Sequence, residues 1–133
     1  MPITLSQVRD VQNTILKFDQ NQQQLLNAIH QNFYQMNQFG TLRKIRDHIA
    51  MTGVVWRELN EKIAIYTGDY DPLIDSIFVS FLTEFSDDKY IDSIGLEKVT
   101  ERYANASKVT ISKLYKYSQD LLLCVESAND DEC

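Results

Sequence analysis

The chain has 133 residues, enough to close one domain around one core, and its 44% hydrophobic and 11% aromatic content is that of a packed globule. A net charge of −6 argues against duplex nucleic acid or an anionic membrane as partner for the whole surface. Four glycines and two prolines are few for a turn-rich β architecture, and two cysteines cannot build a disulfide scaffold. Long helices in a reducing, cytoplasmic compartment are therefore expected.

The N-terminus lacks the basic and then apolar pattern of a signal peptide. Thr4 and Gln7 are spaced as a capping box, and neither proline nor glycine follows until Gly40. Val8, Ile15, Ile29 and Met36 alternate with Val11, Phe18, Leu25 and Phe39 in steps of three and four residues, the period of one helical stripe. This predicts a first helix from Thr4 to about Gln38, stopped by Gly40. Leu26 and Phe33 widen the stripe, whereas Gln22 and Asn32 interrupt it. About half of the residues from Gln12 to Gln38 are Gln or Asn, and formal charge is absent between Asp19 and Arg43. The interrupted half, with Gln22, Leu25, Ile29 and Asn32, is a candidate face for a second copy held by amide hydrogen bonds.

A second helix is expected from about Thr41 to Thr67, with Leu42, Ile49, Trp56 and Ile63 alternating with Ile45, Leu59 and Tyr66. Thr52 and Gly53 predict a kink or break midway. The short connection at Gly40 predicts that the first two helices are antiparallel neighbours. Thr67 to Pro72 reads as a loop, with Asp71 as cap and Pro72 as first residue of a helix to Phe85. That helix is apolar on nearly all sides, which suits burial, and it is too short to span a membrane. Ser86-Asp87-Asp88 starts a short turn that Gly95 ends. A last helix runs from Leu96 to about Ser127, its stripe shifting phase near Ser107 as in a stutter. Residues 128–133 are an acidic tail. The fold expected is an all-α helical bundle, residues 1–127, with long N- and C-terminal helices and a shorter, very apolar central one.

No catalytic set assembles from the sequence. His30 and His48 have no second metal-type ligand at helical spacing, so neither a metal nor a cofactor is expected. Asp69, Asp71 and Asp75 fail as a calcium loop because Pro72 interrupts them and no glutamate stands where one is needed. Lys108, Lys113 and Lys116 interleave with Tyr115 and Tyr117, a composition that can grip single strands, although Tyr115 also continues an apolar face. Arg43, Lys44 and Arg46 fall at the expected start of the second helix, where cations oppose the helix dipole, and so form a candidate docking cluster for an acidic partner. The expectation is a non-enzymatic protein-binding or assembly protein, a homo-oligomer or an accessory subunit of phage type that docks on or occludes a larger complex. The alternatives are a regulator bound to nucleic acid through a local basic patch, and a ligand binder or enzyme with a core pocket near Trp56, Tyr66 and Tyr103.

Overall fold

A computed structural model describes residues 3–32, 38–83 and 96–127. They form α1 (Leu5–Asn32), α2 (Gln38–Thr67), α3 (Pro72–Thr83) and α4 (Leu96–Glu126), with no strand among the described residues. The capping box closes as expected. The Thr4 amide donates to Gln7 Oε1 at 2.9 Å, and the Gln7 amide donates to Thr4 Oγ1 at 3.2 Å. At the next turn, Gly68 at φ 89° terminates α2, its amide donating to Ala64 O at 2.9 Å. Asp71 then caps α3 through a 2.9 Å bond from the Leu73 amide.

The helices form an up-down-up-down four-helix bundle. α1 and α3 each pack beside α2 and α4, and α2 touches α4 across the diagonal. Asp10 of α1 meets Lys62 and Tyr66 late in α2, whereas Leu25 and Ile29 share a cluster with Ile45 early in α2. The two helices are therefore antiparallel. By the same logic α4 opposes α1, so α2 and α4 run parallel to one another. No helix is long and apolar enough to cross a membrane among the described residues.

The three-four stripe of α1 is the spine of the core. Val8, Val11 and Ile15 are fully buried, and Phe18, Gln22, Leu25 and Ile29 continue the line. Burying each large aliphatic side chain contributes about 1.5–3 kcal/mol. A partly exposed ion pair such as Lys62–Asp10, at 3.1 Å, contributes about 0–1. Burial thus holds the bundle, and polar contacts decide how it is arranged. In α4 the buried positions Val99, Tyr103, Ser107 and Ile111 follow in steps of four before threes return, which is the expected phase shift.

Apolar packing forms two clusters. One holds Val11, Ile15, Phe18, Leu59, Ile63, Phe78 and Leu114; the other holds Leu25, Ile29, Ile45, Phe81, Val99 and Tyr103. Gln22, Thr52 and Ser107, all buried, fall between them along α1, α2 and α4. Gln22 Oε1 accepts from Tyr103 Oη at 2.6 Å and from Ser107 Oγ at 3.5 Å, while Thr52 Oγ1 donates to His48 O at 3.0 Å. Burial pushes the Tyr103 hydroxyl up to about 12, with Gln22 and Ser107 pulling the other way.

Each of the four lateral interfaces also carries an aspartate that accepts from an aromatic donor. Between α1 and α2, Tyr66 Oη donates to Asp10; between α1 and α4, Tyr115 Oη donates to Asp19 at 3.0 Å. Trp56 Nε1 of α2 donates to Asp75 of α3 at 2.6 Å, with Asn60 adding a second bond at 2.8 Å. Tyr117 Oη of α4 donates to the α3 cap, Asp71, at 2.8 Å. The Tyr66 hydrogen bond, followed by that of Lys62, holds the Asp10 carboxyl below the ordinary carboxylate range. Burial first and Asp19 second raise Tyr115 to about 12, and burial with Asp71 raises Tyr117 as well.

Several expectations need correction. α1 is described to Asn32, and Gly40 lies in the first turn of α2 instead of stopping α1; residues 33–37 lie outside the described residues. α2 runs unbroken through Gly53. The Thr52 hydroxyl is satisfied inside its own helix, and nothing lies within 4 Å of a Cβ added at Gly53. α3 is not buried all round: Ile74, Ile77, Phe78 and Phe81 are covered, but Leu73 and Val79 are 49% and 50% exposed. The turn expected at residues 86–95 and the tail at 128–133 lie outside the described residues.

Two stability outcomes follow from this packing. Gln22→Leu removes the 2.6 Å acceptor of the Tyr103 hydroxyl and costs about 1–3 kcal/mol in denaturant unfolding, while the double variant with Tyr103→Phe recovers most of that loss. Gly53→Ala stabilises by about 0.5–1 kcal/mol, because an open helical position gains propensity without a clash.

Candidate functional site

The amide-rich part of α1 and the cationic part of α2 lie side by side, at the end of the bundle away from Thr4. Asn21, Gln24, Leu25 and Ala28 form one wall of an open groove of about 310 Å³, and Lys44, Asp47 and His48 form the other. Arg43 is exposed and Arg46 half-buried on the same turns of α2. Between positions 43 and 47 three cations face one acid, and α1 contributes no acid beyond Asp19. Among the described residues this corner gathers cations on a chain that is negative overall.

Burial lowers the His48 pKa from 6.5, Asp47 counters that shift, and Lys44 adds to it. At neutral pH the groove therefore offers a neutral imidazole beside Lys44. The Asn21 and Gln24 amides can both donate and accept. The arrangement can hold a carboxylate-bearing or peptide-like surface by charge and by amide hydrogen bonds. The groove positions no nucleophile beside a base.

The candidate residues divide into two groups. Arg43 and Lys44 stand at the surface, and Lys44 shares the groove with Leu25. However, α2 begins at Gln38, so these cations lie beyond its first turn, where the dipole is felt only weakly. The conflict with the dipole that first singled them out is therefore absent; their claim now rests on the groove. Gln22, Leu25 and Ile29 are 2%, 4% and 1% exposed, covered by the chain's own helices, and so do not form an exposed face for a second copy. The seam that needed a partner finds it within the chain. The Asn32 side chain lies outside what is described.

The other candidate sites come apart in the fold. The Tyr117 ring is 6% exposed and Tyr115 is tied to Asp19, so neither offers a free stacking face beside the exposed Lys108, Lys113 and Lys116. Trp56 and Tyr66 pack against one core cluster and Tyr103 belongs to the other, so no common pocket joins them. Asp71 and Asp75 are engaged as a helix cap and as acceptors from neighbouring helices. Sequence reasoning did not find these aspartate–aromatic contacts, because their partners are 19 to 96 residues apart.

Compared with known proteins, the chain matches no family model, and no curated protein or solved structure is significantly similar to it.

The groove's electrostatics can be read directly. In an NMR titration, Lys44→Gln raises the His48 pKa and Asp47→Asn lowers it further, each by removing one neighbouring charge.

Proposed function

We propose that this chain is a non-enzymatic docking or assembly protein of a cytoplasmic compartment, and that the α1–α2 groove receives an acidic protein surface. The observation that carries this reading is local charge inversion. A chain of net charge −6 gathers Arg43, Lys44 and Arg46 beside a stretch of α1 that holds only amides and apolar groups. Exposed cations such as Arg43 and Lys44 speed encounter and select the sign of the partner more than they add affinity. The amides then supply hydrogen bonds suited to carboxylates and peptide groups. An accessory subunit that docks on or occludes a larger acidic protein would need little more.

The test uses polyglutamate as an acidic probe and duplex DNA as a competitor, both at low salt. Arg43→Gln with Lys44→Gln is expected to weaken polyglutamate binding by about tenfold, a loss that shrinks as salt is added. Unchanged affinity at low salt overturns the proposal. Tighter binding to DNA than to polyglutamate, with a steep salt dependence, would instead favour a nucleic-acid-linked regulator.

A further inference from the structure

α2 carries a second stripe on the side away from its seam. Asp47, Met51, Val54, Glu58, Glu61 and Ile65 follow in alternating steps of four and three residues, which keeps them on one face. Met51, Val54 and Ile65 are 55%, 58% and 76% exposed, an unusual concentration of apolar surface on one outer helix face. The acids between them make this face apolar and negative.

α4 carries the counterpart. Its groove with α3, about 370 Å³, is lined by Arg102, Ala106, Val109 and Lys113 of α4 and by Ser80 of α3. Val109 is 52% exposed, and Lys116 extends the line of cations one turn further. This face is apolar and positive.

Their placement in the bundle decides what the two faces can do. α2 and α4 are diagonal and parallel, so the two stripes look out on opposite sides of the molecule. A copy displaced sideways, without rotation, brings the α2 stripe of one molecule into the α3–α4 groove of the next. The core fixes the height at which they meet, because Thr52 and Ser107 both lie in the polar layer, and Ile45 and Leu59 share clusters with Tyr103 and Leu114. At equal height Asp47 faces Arg102, Val54 faces Val109, Glu58 faces Lys113 and Glu61 faces Lys116. An apolar centre thus lies among three pairs of opposite charge. Glu58 also pairs with Lys62 of its own helix at 3.3 Å, Arg102 has another contact within the chain, and at the two ends Arg43 would face Lys98 and Ile65 would face Asp120, so the match is confined to residues 47–61.

We infer that the chain associates with further copies of itself by seating the α2 outer stripe in the α3–α4 groove, a heterologous contact that leaves both complementary faces available on the growing assembly. The contact shares only Asp47 with the α1–α2 groove, so it stands or falls separately from the docking proposal.

The test is solution mass by sedimentation at low salt, for the full chain up to about 1 mM, where weak contacts still register. The wild type is expected to grow in mass with concentration. Val54→Asp and Val109→Asp are each expected to stay monomeric, yet to form a one-to-one dimer when mixed, because one retains the groove and the other the stripe. Both positions are more than half exposed, so far-UV circular dichroism should be unchanged; if either variant loses helix, Glu61→Gln and Lys116→Gln replace them and should each weaken association. A wild type that remains monomeric throughout overturns the inference. So does association that the substitutions leave untouched, or a mixture of the Asp variants that does not pair.

Discussion

A polar side chain in a dry core must find its partner, and in this bundle that requirement falls on Gln22. Its amide oxygen accepts from Tyr103 Oη at 2.6 Å in the middle of the otherwise apolar α1 seam. Sliding α1 against α4 by one turn would break this bond inside the core, where an unsatisfied polar group costs about 1–3 kcal/mol. Apolar side chains on either side would tolerate that slide far better. The contact therefore sets the level of α1 against α4, and through α1 it decides which residues of α2 and α4 stand at equal height. The charge-matched register between copies depends on that level.

Around this layer the four aspartates act laterally. Each uses a short side chain, so the helix bearing the donor must come close, and each donor is an aromatic hydroxyl or indole whose ring is packed against apolar neighbours. Trp56 shows the combination well: it stacks on Phe78 with ring centroids 5.9 Å apart while its Nε1 reaches Asp75. The same ring contributes burial and direction. Bonds to a carboxylate are stronger than neutral ones, but these sit at half-open interfaces where solvent competes. Their value lies in choosing which helix stands beside which.

Much of this was legible in the sequence. The alternation from Val8 to Ile29 marks the buried line of α1, and the run from Ile45 to Tyr66 marks that of α2, because burial on one face leaves a periodic trace. The phase shift near Ser107 was visible for the same reason. Helix boundaries were less legible. Gly40 resembles a C-terminal stop, but a glycine is also tolerated in a first turn, where backbone amides lack intrahelical partners anyway. Displacing that boundary changed the meaning of Arg43, Lys44 and Arg46, which lost their quarrel with the dipole, and Lys44 lines a groove with Asp47 and His48 instead. The break foreseen at Thr52-Gly53 failed because one residue satisfies itself and the other faces solvent. Tyr115 and Tyr117 could not be paired with Asp19 and Asp71 beforehand, since no local spacing connects them.

The diagonal, parallel placement of α2 and α4 has a consequence for any assembly larger than two. Because the acidic stripe and the basic groove lie on opposite flanks and no rotation exchanges them, a row of such molecules has direction. One terminus presents carboxylates around Val54 and the other presents lysines around Val109. A capping protein of either sign could halt extension at one terminus while the other continued to accept subunits.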